Sequence, residues 1–431
     1  MNKTVKIVFV VALIAVVGLV LAIKQQGKNA NSEPVGASSP NNNPSKDVVI
    51  TSKNPLPRLV DLGADKCVPC KMMAPILEQL KKDLDGKLQV DFIDVWKKPD
   101  EAPKYGVKII PTQIFFAPDG KELFRHEGFI SREDILIKWK ELGVDLGASS
   151  VPVLERLEPL KPDTRAKDQI CYMCEKDIES KTMATVATPK GDVRLCGLHC
   201  YFILYSCLTE DKADYEKKVS VADFPTGKPL PAAEAVYLYG VDEKTHRPTI
   251  KAFANNTAAM AERQTSGGNI IAFTDLAEQE MAARCGFCDR AVYPADAAAV
   301  KVEGLSTWGC CSHCAMGVAA RTGKDIEVRQ KDGLTGQMIV IKTFSGSVAS
   351  LEPPTAVAWF GQRKNPEGKW VSAGCFHQGF FTTVDNLKKW LEAHPSETGR
   401  MITIHQALAD KMKLTPEQIQ KACKIGECAP K

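Results

Sequence analysis

The sequence predicts one α/β domain followed by two tandem α+β modules, behind one N-terminal transmembrane helix. Three observations carry this reading. Residues 47–146 alternate apolar strand patterns with amphipathic helix patterns around Cys67-Val68-Pro69-Cys70. Farther on, four cysteines and a histidine recur, every one displaced by 114 positions. At the start, an unbroken apolar run from Ile7 to Ile23 is flanked by Lys3, Lys6 and Lys24.

Composition sets the bounds. At 431 residues the chain is too long for one ordinary core, and 44% hydrophobic residues is a globular value. A net charge of +4, with no basic run interleaved with aromatics, gives no reason to expect nucleic acid. No nucleotide cofactor is expected either. Fifteen cysteines is high for a reducing compartment unless metal holds them. The odd count leaves at least one unpaired, metal-bound or reactive.

Residues 1–24 read as an uncleaved signal anchor of seventeen apolar residues, at the short end for a span. A cleaved secretory signal is the alternative, but no small-x-small site directly follows the run. Either reading places the remaining domains outside the cytoplasm, on a single-pass inner or cell membrane protein. Residues 25–46, rich in Asn, Ser, Pro and Gly, form a flexible tether.

In residues 47–146, Leu59 to Leu62 and Leu88 to Val95 read as strands, and so does Ile109 to Phe116. Cys67 to Lys82 is a helix with Met72, Met73, Ile76, Leu77 and Leu80 on one side. Asp119-Gly120 turns a hairpin into Glu122 to His126, and Ser131 caps a last helix. A thiol at the start of a helix meets backbone N–H groups and the positive end of the helix dipole, which favours its thiolate. Cys67 stands in that position.

These residues resemble the thioredoxin family. Leu59-Val60-Asp61 and Cys67 to Leu77 are similar to its active-site strand and helix, and Ile110-Pro111-Thr112 to its cis-proline loop. The resemblance implies an α/β thioredoxin fold. It implies Cys67 as nucleophile, Cys70 as resolving thiol, Asp61 as proton-transfer carboxylate and Pro111 lying against the disulfide. Lys66 stands where the family usually carries tryptophan, and Val68 where it carries glycine.

Residues 147–168, with Pro152, Pro159 and Pro162, read as a linker. Residues 169–284 and 285–410 are the two modules. Cys171, Cys174, Cys196, His199 and Cys200 return as Cys285, Cys288, Cys310, His313 and Cys314. Two close pairs of thiols suit a tetrahedral zinc site, and copper or mercury as softer ions. Two disulfides per module are the alternative in an exported protein. We favour metal, because the imidazole recurs at the same offset. Cys207 and Cys311 read as buried core thiols. Residues 411–431 are a C-terminal helix opened by Thr415 and a tail holding Cys423 and Cys428, where a local disulfide is expected.

The second module resembles the alkylmercury (organomercurial) lyases. The likeness lies in Cys288 to Pro294, in Ser312-His313-Cys314 and in Gly374-Cys375-Phe376-His377-Gln378-Gly379-Phe380-Phe381. In that family two cysteines hold mercury and an aspartate delivers the proton that cleaves the carbon–mercury bond. The resemblance implies Cys375 with either Cys285 or Cys288 as that pair, and Asp289 as the acid. The family's Cys-x2-Asp spacing is not kept. The end of the first module, Gly268 to Phe273, looks more like the copper-binding accessory proteins of nitrous oxide reductase, which share the lyase fold.

The expected function is a membrane-tethered, extracytoplasmic thiol–disulfide oxidoreductase coupled to thiolate metal-binding modules, keeping their thiols reduced. Its partners would be a redox partner for Cys67–Cys70 and disulfide or metal-thiolate substrates. The alternative is an organomercurial lyase, or a copper, mercury or zinc handling protein, in which the first domain is auxiliary.

Overall fold

The computed structural model describes residues 55–147, 154–189, 191–208, 212–244 and 247–421. The expected anchor, the tether, and Cys423 and Cys428 lie outside the described residues. Among those described, no helix is long and apolar enough to cross a membrane.

The first domain is a four-stranded sheet. Strand β1 (Arg58–Gly63) lies between β2 (Gln89–Asp94), which is parallel to it, and β3 (Thr112–Phe116), which is antiparallel. Strand β4 (Glu122–Glu127) closes the edge beyond β3. Both faces of β1 are covered, so its apolar residues Leu59, Val60 and Leu62 are fully buried. Helix α1 (Val68–Asp83) lays Met73, Leu77 and Leu80 on one face of the sheet. The expected strand from Ile109 begins only at Thr112, after the cis Ile110–Pro111 peptide bond. Ser131 caps the last helix, Arg132–Glu141, by accepting from the Asp134 amide.

Each module opens with a knuckle, a β-hairpin and a helix. The hairpin strands and the helix begin at 184, 191 and 198 in the first copy. They begin at 298, 305 and 312 in the second, again 114 residues on. The duplication therefore holds for backbone as well as for thiols. After the helix the copies diverge. The first builds a four-stranded and a three-stranded sheet, the second two five-stranded sheets.

Part of the expected linker is structured. Glu155–Arg156 pairs with the strand Gly399–Thr403 as an edge of the second module's sheet, and Leu154 accepts from the Met401 amide at 2.7 Å. The proline-rich segment had no strand periodicity to read, because two residues are too few to show one. The first domain also packs on the second module. Phe129 meets Phe344 edge-on at 5.7 Å, and His405 faces Glu133 at 3.4 Å.

The two modules dock on each other through polar groups. The Ala291 amide donates to Ser206 Oγ at 2.9 Å in a buried position. Arg247 pairs with Asp296 at 2.8 Å, and Arg363 with Glu175 at 2.8 Å. His377 stands between Glu175 and Glu397. Burial pulls this imidazole down, but hydrogen bonds to the two carboxylates outweigh it and hold its pKa at about 9.

Candidate redox and thiolate sites

Cys67 and Cys70 form a disulfide at the start of α1. Cys67 is the N-cap residue, and its Sγ accepts from the Cys70 amide at 3.3 Å. It is half-buried, whereas Cys70 is buried. An incoming thiol or disulfide therefore meets Cys67 first. The Ile110 carbonyl before the cis proline lies 4.0 Å from Cys67 Sγ. Val68 and Ile109 flank the disulfide and are well exposed, as is Trp96 after β2. Gly63 leaves room on the inner side, where an added Cβ would lie 2.9 Å from Phe92 and 3.3 Å from Cys70 Sγ.

Asp61 sits on β1, two residues before Gly63, and is fully buried. Desolvation pushes its pKa up to about 7, opposed by the hydrogen bond that Gln113 Nε2 donates at 2.6 Å. Its other oxygen, Oδ2, has no partner. A carboxyl that titrates near neutrality can take and return a proton during exchange. Gln113 is the part of this site that the sequence did not announce.

In the first module Cys171, Cys174, Cys196 and Cys200 bring their sulfurs within 4.8 Å of one another. Cys196 Sγ lies 3.6 Å from Cys174 and 3.5 Å from Cys200. A tetrahedral ion with bonds of about 2.3 Å to sulfur needs an edge of roughly 3.8 Å, so the donor set fits. The local fold explains the placement. Cys171 and Cys174 bracket a tight knuckle, closed where the Glu175 amide donates to the Cys171 carbonyl. Cys196 ends the hairpin, and Cys200 stands in the first turn of the helix Leu198–Cys207. Hydrogen bonds from the other three thiols draw Cys171 down, while Cys200 is pushed up by its neighbours. A cation held among the four sulfurs would offset their mutual repulsion once ionised.

The second module repeats this with Cys285, Cys288, Cys310 and Cys314. It also holds a second group, Cys310, Cys311, Cys314 and Cys375, again within 4.8 Å. Cys311 is thus part of a thiol group and not an isolated core thiol. The helix start explains it: Cys311 is the N-cap residue of Ser312–Thr322 and its Sγ accepts from the Cys314 amide.

Neither histidine joins a thiol group. His199 Nδ1 pairs with the buried Glu280 at 2.9 Å, and its ring stacks on Tyr293 of the second module. His313 is buried against Phe360, with Nδ1 on Ser312 Oγ, and desolvation pushes it down to about 3. On a helix their side chains project one step round from Cys200 and Cys314, which explains why sequence adjacency misled.

The expected lyase residues separate as well. Cys375 lies 3.6 Å from Cys310 and 4.0 Å from Cys314, and shares its four-sulfur group with these and Cys311. Asp289 is exposed, has φ of 60° and pairs with Arg284 at 3.0 Å. Glu175 holds the same left-handed knuckle position in the first module, with φ of 57°. Asp289 is therefore the closing residue of a knuckle and not an acid aimed at the Cys375 sulfur. A cavity of about 50 Å³ opens at the module boundary. Cys310, Cys375, Phe376 and Arg290 line it from the second module, and His199 and Ile203 from the first.

Comparison with known proteins agrees with this division. Residues 43–141 match the thioredoxin family model, and residues 296–413 the alkylmercury lyase model. The latter range includes Cys310, Cys314 and Cys375 and leaves out Cys285, Cys288 and Asp289. The chain is 45% identical over 78 residues to a thioredoxin of Staphylococcus epidermidis, covering 18% of this chain and 74% of that protein. It is 37% identical over 87 residues to a thioredoxin of Rickettsia bellii, covering 20% and 81%. Among solved structures, the mercury-bound form of MerB2 is 18% identical, with a TM-score of 0.26 over 39% of this chain and 77% of that one. Chloroplastic thioredoxin z is 28% identical, with a TM-score of 0.20 over 21% and 81%.

Proposed function

Because the chain belongs to the thioredoxin family through residues 43–141, we propose that it is a thiol–disulfide oxidoreductase whose substrates include the thiols of its own metal-binding modules. Cys67 attacks a substrate disulfide and forms a mixed disulfide. Cys70 then displaces the substrate thiol, closing the Cys67–Cys70 bond and leaving the substrate reduced by two electrons. Asp61 takes the Cys70 proton in this step. The observation that carries the reading is the half-exposed Cys67 at a helix start, backed by Cys70, the cis proline and a buried carboxyl of raised pKa. Insulin reduction by the full chain with a dithiol donor should disappear in Cys67→Ser. Unchanged reduction in that variant would overturn the proposal.

The reading includes export and a membrane anchor, supported by the apolar run from Ile7 to Ile23. A phosphatase fused after residue 60 should be active only outside the cytoplasm; activity inside would refute this part. Zinc is the ion best suited to the closed four-thiol groups, with copper as the softer alternative.

One observation favours a second reading. Cys310 and Cys375 lie 3.6 Å apart beside a cavity, in the stretch that matches the alkylmercury lyases. Two such thiols can hold a mercury ion during cleavage of an organomercurial. Release of inorganic mercury from phenylmercury that is lost in Cys375→Ser would support it, and no release from the reduced wild type would refute it.

A further inference from the structure

The two thiol groups of the second module share an edge. Cys310 and Cys314 belong to both. Cys285 and Cys288 complete one group, and Cys311 and Cys375 the other. Each shared sulfur touches thiols on both sides. Cys310 Sγ is 3.6 Å from Cys288 and 3.6 Å from Cys375. The Cys314 sulfur lies within 4.8 Å of those of Cys285, Cys288 and Cys311, and 4.0 Å from that of Cys375.

That arrangement is two tetrahedra with a common edge. A thiolate keeps lone pairs after binding one ion and can bridge to another, so six thiolates suffice for two four-coordinate ions. We propose that the second module holds a binuclear cluster of two divalent d10 ions such as zinc, with Cys310 and Cys314 as bridging thiolates. Cys285 and Cys288 are the terminal ligands of the inner ion, and Cys311 and Cys375 those of the outer ion. The first module holds one ion, since glycine at 197 stands where Cys311 would be and its thiol group is a plain tetrad.

Charge and access support the assignment. Six thiolates around two divalent ions carry a net charge of about −2, the same as four thiolates around one. The guanidinium of Arg290 lines the adjoining cavity. Cys285, Cys288, Cys311 and Cys314 are buried, whereas Cys310 and Cys375 are half-buried and line the cavity. The outer ion is the one that solvent and chelators reach. The number of ions held by these six thiols does not depend on redox exchange with Cys67–Cys70.

The test is metal content of the reduced full chain, loaded with Zn²⁺ alone, freed of excess ion and weighed by native mass spectrometry. Three ions per chain are expected. The double variant Cys311→Ser, Cys375→Ser should hold two, and Cys423→Ser, Cys428→Ser should still hold three. Two ions in the wild type, or three in the first double variant, would overturn the proposal. Should that variant fail to fold, the wild type loaded with ¹¹³Cd²⁺ decides. Two of its three resonances should show mutual scalar coupling through the shared sulfurs, and three uncoupled resonances would refute the cluster.

Discussion

The two cysteine-rich modules place the same four thiols on the same knuckle, hairpin and helix, 114 residues apart, yet surround them differently. In the first, the tetrad stands alone, with Cys171 and Cys200 buried and Cys174 and Cys196 half-buried. In the second, Cys311 at the helix N-cap and Cys375 on a distant turn extend the tetrad toward a cavity. The difference teaches that a duplicated ligand pattern fixes a local scaffold, while access and added donors decide the chemistry.

The largest expected effect breaks the symmetry of the pattern. Cys200→Ser should remove one ion and lower stability by several kcal/mol, because structural metal binding is coupled to folding. Cys314→Ser at the equivalent position should remove two, because that sulfur serves both groups. Equal losses by mass spectrometry would show that the modules hold metal alike.

The next effect is kinetic. In metal-free protein, the half-buried Cys310 and Cys375 should be alkylated or oxidised at least about tenfold faster than the buried Cys171 and Cys200. Peptide mapping after a short pulse of iodoacetamide reads the rates. Uniform labelling would show that burial does not set the reactivity of these thiols.

Asp61 sharpens the link between the first domain and these thiols. It is a base only when ionised, so the rate of disulfide exchange should rise with pH through about 7. Asp61→Asn should lower the rate roughly tenfold to a hundredfold and flatten that rise. An unchanged pH profile would exclude Asp61 from proton transfer.

The smallest effect is at the boundary between the modules. His377 is held up at about 9 and Glu175 down at about 2. The histidine's contribution is complete below its ordinary value of 6.5 and is lost as pH rises through about 9. The glutamate's is present above its ordinary 4.5 and is lost as pH falls through about 2. His377→Gln should therefore cost roughly 2 kcal/mol near pH 6, discounted for partial exposure of Glu175, and little near pH 10. Denaturant midpoints at the two pH values measure this; the same cost at both would show that the ring acts by packing alone.

Much of this architecture was legible from the residues. The helix start at Cys67, the Ser131 cap and the repeat are local in sequence, so spacing reveals them. The cis bond at Ile110–Pro111 followed from resemblance to a family and not from periodicity. What stayed hidden depends on long-range approach. Cys375 comes to Cys310 across 65 positions. His199 turns to Glu280, 81 positions away. No local pattern encodes either meeting, and the recurrence of His199 and His313 beside cysteines pointed to ligation that the helix geometry does not provide. The Cys310–Cys311 doublet was the one signal for the extended group, and a core reading absorbed it.

Cys67 is proposed to act on the module thiols. In the full-length Cys70→Ser variant, Cys67 can attack a disulfide but the mixed disulfide cannot resolve. Oxidise the module cysteines of metal-free wild-type chain, mix with reduced Cys70→Ser chain, quench with acid and map the cross-linked peptides. We expect Cys67 joined to Cys375 or Cys310, with recovery of free thiols and zinc binding when wild-type Cys67–Cys70 and a dithiol are supplied. A variant that reduces insulin yet forms no cross-link to any module cysteine would contradict the claim.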